Sequence, residues 1–198
     1  FENPFSRNCY AFPKVSFDLE AIKKLKLDAV FISHFHDDHC SLESLNLIDR
    51  DTPLYMYCLH QEIFNYLMKM GFKKVTALKL NNSVVIGGFK ITVHPALDID
   101  VDSIFQIEVA QKNILNVVDS WIDDSTLQVL SQTKWDLVLW PFQTMREVEV
   151  LSPKTAQPDS GFPQEWQQQL QVLNPKNIIA SSCQFIHEPW SWYNHALF

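Results

Sequence analysis

Residues 27–39 read Leu27-Asp28-Ala29-Val30-Phe31-Ile32-Ser33-His34-Phe35-His36-Asp37-Asp38-His39. Ala29 to Ser33 is a short apolar run of the kind expected of a strand covered on both faces. Polarity then reverses at a single position. His34 to His39 places three of the chain's 7 histidines and two aspartates in six consecutive positions. Imidazole offers neutral nitrogen and carboxylate offers hard oxygen, and that mixed set suits zinc, manganese or iron. The block follows a strand at its C-terminal end, where α/β sheets gather their ligands. Ser41 to Ile48 carries Leu42, Leu45 and Ile48 at helical spacing. A helix start beside the block would add positive potential for an anion or a metal-bound hydroxide.

Working outward, the same alternation of strand and helix recurs. Residues 1–16, with Pro4 and Pro13, read as irregular, and 18–26 as a short helix capped by Asp18, with Leu19, Ile22 and Leu25 on one side. Leu54 to Cys58 reads as a strand. His60 to Met70 reads as a helix, with Ile63, Phe64, Leu67 and Met70 on one face and Gly71 as its stop. A strand at 75–80, a turn at Asn81-Asn82 and a hairpin over 84–93 around Gly87-Gly88 follow. Strands are predicted at 104–109 and 113–118, broken at Gln111-Lys112. Beyond them come a helix at 124–132, a strand at 135–140, a Pro- and Ser-rich loop at 152–163, a helix at 164–173 and a last strand at 177–182. An antiparallel meander between strand–helix units predicts mixed sheets with helices packed outside them. Neither a repeat nor a strong linker interrupts the chain, so one domain over 1–198 is expected.

Composition narrows the function classes. The chain has 198 residues, enough for a sizeable core. Its formal net charge of −7 argues against nucleic acid as the main partner. No stretch of about 18 apolar residues is present, so no membrane span is expected. Cys9, Cys40, Cys58 and Cys183 form no close pair, which reads as reduced thiols in a cytoplasmic setting. No signal peptide is visible, although the sequence starts at Phe1. The 14 phenylalanines and 6 tryptophans read chiefly as core. Neither a G-x-S-x-G elbow nor a phosphate-binding P-loop occurs.

Ser33 to His39 resembles the H-x-H-x-D-H signature of the metallo-β-lactamase superfamily. The form is closest to the branch that includes L-ascorbate-6-phosphate lactonase, N-acylphosphatidylethanolamine phospholipase D and sialic-acid hydroxylase relatives. The resemblance covers roughly residues 27–185 and is strongest at 28–39 and around Asp119. It implies a mixed α/β fold, a four-layer αββα sandwich. That family has further strands before the motif than the first 28 residues provide, so terminal segments are expected to be lacking.

The resemblance also implies a ligand set. His34 and His36 would bind a first metal, and Asp38 and His39 a second. Asp119, ending Leu115-Asn116-Val117-Val118-Asp119-Ser120, would bridge them; the residue alone also reads as a helix cap. Two family positions differ here. Asp98 stands where a further ligand histidine is usual, and His94 comes four residues early; either is a candidate ligand, and His94 also reads as a strand-end histidine. Asp98, Asp100 and Asp102 alternate, which puts them on one face of an extended segment, as hard-oxygen ligands or as a solvated loop. For the last ligand, Cys183 lies nearer the expected slot than His187. Trp140 to Glu147 follows a strand and would line the pocket, with Arg146 as a phosphate or carboxylate binder or a surface ion-pair partner. Trp190, Trp192, Tyr193 and His195 would pack or wall an apolar pocket.

The implied activity is hydrolysis of an ester, lactone or phosphodiester bond by a metal-bound hydroxide, with Asp38 orienting the water or taking its proton. The expected cofactor is one or two zinc ions, with manganese or iron as alternatives. The substrate would be a small or lipid-like molecule. Two other readings stay open: a degenerate member that binds a ligand or partner without hydrolysis, and an iron-bearing redox member.

Overall fold

Strand β1 (Cys9–Ala11) pairs antiparallel with β11 (Phe185–His187), the last described strand, in the computed structural model. The structure describes residues 18–36, 39–141 and 164–182, together with the backbone of 9–11 and 185–187. The predicted irregular segment at 1–16 (apart from β1), the loop at 152–163 and the aromatic cluster at 190–195 lie outside the described residues.

Two larger sheets carry the fold. The first is parallel and three-stranded: β2 (Val30–Ile32), β3 (Leu54–Met56) and β4 (Val75–Ala77). The second has six strands: β5 (Ser83–Ile86), β6 (Phe89–Pro95), β7 (Ser103–Val109), β8 (Lys112–Asn116), β9 (Leu137–Pro141) and β10 (Ile178–Ser181). Its order is β10-β9-β8-β7-β6-β5. The run from β5 to β8 is the predicted antiparallel meander, and β8, β9 and β10 are parallel. Among the described residues five helices lie between strands: α1 (Leu19–Lys23), α2 (Leu42–Leu45), α3 (Gln61–Lys69), α4 (Asp124–Leu130) and α5 (Gln164–Leu173).

Alternation along each strand sorts the apolar side chains into layers. Ile32, Leu54 and Met56 face one way and pack with Leu45 of α2 and Phe64 and Leu67 of α3. Phe31 and Tyr55, adjacent in register, face the other way and stack with ring centroids 4.9 Å apart. They join Ile91, Val93 and Phe105 of the six-stranded sheet in a second core between the sheets. On that sheet's far side, Ile104, Leu115, Val138 and Trp140 pack with Leu130 of α4 and Trp166 and Leu173 of α5. Helices, sheet, sheet and helices therefore stack in four layers, as the αββα expectation has it.

Local chemistry explains most boundaries. Asp18 Oδ1 accepts from Ala21 N, and Ser41 Oγ from Ser44 N, so each caps a helix start. Gly71, with φ of +100°, ends α3 in a conformation that side chains rarely adopt. The β7–β8 turn falls at Ala110 and Gln111, one residue earlier than predicted. Both have positive φ (47° and 61°), the two-residue mirror turn that matches strand twist. Helix α1 is shorter than predicted and buries no residue; Leu25 falls beyond its end.

Candidate metal centre

The histidine block lies between the two sheets. Tyr57 N donates to Ile32 O at 3.1 Å, holding the end of β2 beside β3. Ser103 Oγ, at the start of β7, donates to Ser33 O at 2.8 Å, so the residue before His34 is tied to the second sheet. His34 is fully buried, and His36 O accepts from His39 N and Cys40 N at 2.9 and 2.7 Å. That turn brings His39 back over His34, with ring centroids 4.1 Å apart.

Asp119 arrives from the end of β8. Val117 N still reaches Leu139 O of β9 at 3.1 Å. Val118 then takes φ of +64°, a left-handed conformation rare for a β-branched residue. Such a residue costs about 1–3 kcal/mol and persists only where its surroundings over-determine it. Val118 N donates to Asn116 Oδ1 at 3.0 Å, and Ser120 N to Val117 O at 3.2 Å, so the strained step is anchored on both sides. Its result is a carboxylate aimed at the histidines.

One ligand atom each from His34, His36 and Asp119 lies within 4.8 Å of the others. His34 Nε2 is 3.8 Å from Asp119 Oδ1, and His39 Nε2 is 3.1 Å from Asp119 Oδ2. On the other side of the His34 ring, Nδ1 is 3.0 Å from Ser33 Oγ and 3.6 Å from Asp102 Oδ1. Burial and the nearby Asp119 charge push the Asp102 carboxyl up to about 6. Two carboxylates that resist ionising together, among three imidazoles, make a donor set that a divalent cation would neutralise. Metal–ligand bonds of about 2 Å place ligand atoms about 3–4 Å apart, so His34, His36 and Asp119 fit one ion after small side-chain adjustments.

The other predicted residues are placed as follows. Asp98 is exposed and shapes its own loop: its Oδ1 accepts from Asp100 N, and its carbonyl from Val101 N and Asp102 N. Of the alternating aspartates, Asp102 is the one beside His34. His94 is buried in β6 with Nε2 2.9 Å from Gln106 Oε1, and burial lowers its pKa. The His34–His36–Asp119 group does not include it. Trp140 lies in the core against Trp166. Asp38, Arg146 and Cys183 lie outside the described residues, as does the side chain of His187. Sequence reading had not picked out Ser33, Ser103 or Tyr57 as supports of the site; the only signal was the small polar residue between the strand and His34.

No family model matches the chain, and no curated protein matches it by sequence. Solved structures do. The diiron β-hydroxylase CmlA from Streptomyces venezuelae is similar at 14% identity and TM-score 0.58, over 80% of this chain and 36% of that one. The metallo-β-lactamase fold protein YhfI from Bacillus subtilis is similar at 18% identity and TM-score 0.60, over 78% of this chain and 64% of that one. An isothiocyanate hydrolase from Delia radicum gut bacteria is similar at 16% identity and TM-score 0.62, over 98% of this chain and 75% of that one. The chain thus spans about a third of CmlA and just under two thirds of YhfI. Layer order, site placement and these likenesses agree: the chain has the metallo-β-lactamase fold.

Proposed function

We propose that the protein is a metal-dependent hydrolase of an ester, lactone or phosphodiester bond, with residues 1–198 belonging to one domain. The observation that carries this is the convergence of His34, His36 and Asp119 within 4.8 Å at the strand ends of two facing sheets. His34, His36 and Asp119 would hold one cation. Asp119, His39 and Asp38 would hold a further one. Zinc is the proposed ion, because three of the five ligands are imidazoles; manganese and iron suit the carboxylates as well. The last ligand would come from Cys183 or His187, with Asp98 and His94 as the remaining candidates.

A cation bound here supplies an acidified water as nucleophile and polarises the substrate oxygen. Around it, the chain's residues do the rest. Asp38 would orient that water and take its proton. His34, shut from solvent, would form the floor of the site, while His36, which is exposed, would face the substrate. Arg146 would hold an anionic group of the substrate. The support from similar proteins is that one with this fold is named an isothiocyanate hydrolase and another a diiron hydroxylase. Among the described residues no helix is long and apolar enough to cross a membrane. The wide spacing of Cys9, Cys40, Cys58 and Cys183 along the chain suits a reducing, cytoplasmic setting.

The test is metal analysis of protein purified without added metal, joined to hydrolysis assays on carboxylic ester, lactone and phosphodiester substrates. One or two equivalents of bound metal, with hydrolysis lost in His34→Ala, is the expected result. Protein that takes up no metal from zinc, manganese or iron solutions would overturn the reading. Iron in the purified protein with oxygen uptake and no hydrolysis would replace hydrolysis by redox chemistry.

A further inference from the structure

A histidine binds a cation only through a nitrogen that carries no proton, so a ligand imidazole must keep its hydrogen on the other nitrogen. The two nitrogens of His34 face different groups. Nδ1 has Ser33 Oγ at 3.0 Å and Asp102 Oδ1 at 3.6 Å, while Nε2 has Asp119 Oδ1 at 3.8 Å. A carboxylate therefore stands on each side of one fully buried ring, and a neutral imidazole has a single N–H to offer.

The hydroxyl and the carboxylate on the Nδ1 side act differently. Ser33 Oγ can donate or accept, so it fits either tautomer. Ionised Asp102 can only accept, so it favours a proton on Nδ1. Its Oδ1 is buried and makes no hydrogen bond among the described residues. At 3.6 Å its pull on Nδ1–H is electrostatic rather than a formed hydrogen bond. Asp119, by contrast, also has His39 Nε2 at 3.1 Å and is shared with the cation in the reading above.

We propose that Asp102 is a positioning residue that keeps the His34 proton on Nδ1 and so turns the Nε2 lone pair toward the cation shared with Asp119. The loop that carries it is held at two points. Asp102 N donates to Asp98 O at 2.8 Å, and the Tyr57 hydroxyl donates to Ile99 O. The inference rests on His34 being a ligand.

Nitrogen-15 NMR of the metal-free protein reads the His34 tautomer directly, and competition with a chromophoric chelator reads zinc affinity. The wild type is expected to show Nδ1–H. In Asp102→Asn the amide can turn an N–H toward Nδ1, which moves the ring proton to Nε2, where Asp119 accepts it. That variant is expected to show Nε2–H and about 10- to 100-fold weaker zinc binding. Ser33→Ala is expected to keep Nδ1–H. Nε2–H in the wild type would overturn the proposal, as would an Asp102→Asn protein with unchanged tautomer and affinity. If Asp102→Asn does not fold, the wild-type tautomer alone decides. His34→Ala separates the two readings: undiminished zinc binding there removes His34 as a ligand, whereas lost binding beside an unaltered Asp102→Asn removes only the role of Asp102.

Discussion

Asp119 presents its two oxygens to two different histidines: Oδ2 lies 3.1 Å from His39 Nε2, and Oδ1 lies 3.8 Å from His34 Nε2. One side chain therefore joins both ends of the histidine block. The same carboxylate raises the pKa of Asp102 through its charge, after burial itself. Its removal should act in opposite directions with and without metal.

Asp119→Asn is expected to leave the metal-free protein as stable as the wild type or slightly more so, because one member of a crowded carboxylate pair is neutralised. The same substitution should abolish most of the stabilisation by added zinc. A ligand at a hundredfold excess over its dissociation constant adds about 2.7 kcal/mol to the native state. Thermal unfolding of both proteins, with zinc and with chelator, checks this. A full zinc-induced shift in Asp119→Asn would remove Asp119 from the ligand set.

Tyr57→Phe tests the loop that carries Asp102. The hydroxyl that donates to Ile99 O is lost and the carbonyl keeps its place, at an expected stability cost of about 1 kcal/mol. Zinc affinity should fall severalfold, because residues 97–102 lose their tie to the end of β3. Chelator competition would show it, with Tyr55→Phe, the neighbour whose ring joins the inter-sheet core, as control. Equal losses in the two variants would mean that the tie contributes nothing specific.

The layers were legible because each short strand declares its faces. Phe31 against Ile32, and Tyr55 against Leu54 and Met56, is a two-residue period that the core clusters repeat. The histidine block was legible because its polarity breaks sharply after β2. The carboxylate partner on the Nδ1 side of His34 was not. An alternating pattern puts Asp98, Asp100 and Asp102 on one face only if the segment is extended. Instead the Asp98 carbonyl takes Val101 N and Asp102 N, and that turn leaves Asp98 and Asp100 exposed while Asp102 meets His34. Val118 was equally hidden. A β-branched residue in a strand-like run carries no sign of a left-handed backbone, which here is imposed by the contacts of Asn116 and Val117. Helix α1 kept its cap but not its packing, since a helical period states which face is apolar and not whether anything covers it.

Asp38→Asn tests the proposed acid–base role. The substitution keeps size and one oxygen, so folding should change little, while a residue that orients water and accepts its proton loses that capacity. Turnover should drop by about 100-fold or more, measured on whichever ester, lactone or phosphodiester the wild type cleaves. Circular dichroism would confirm the fold. Full activity in the variant would remove Asp38 from the chemistry.

Asp136 should give the protein an acid limit far from the metal centre. Its Oδ1 lies 2.7 Å from Lys176 Nζ and 3.2 Å from Lys112 Nζ, and its Oδ2 accepts from Asn113 N at 3.1 Å. Its carbonyl also accepts from Asn177 Nδ2 at 3.0 Å, so one residue links the starts of β8, β9 and β10. The Lys176 ammonium, the Asn113 N–H and Lys112 hold this carboxyl well below the usual carboxylate range. A group whose pKa is lower in the folded state binds its proton more readily when unfolded. Its contribution is therefore complete above the unfolded value, about 3.9, and is lost as pH falls through the folded one. Asp136→Asn should unfold at lower urea than the wild type at pH 7, and the gap should narrow steadily below about pH 4. Urea titrations of both proteins from pH 7 to pH 2.5 would show it, and a gap that stays constant across that range would mean that the lysines contribute nothing through the charge of Asp136.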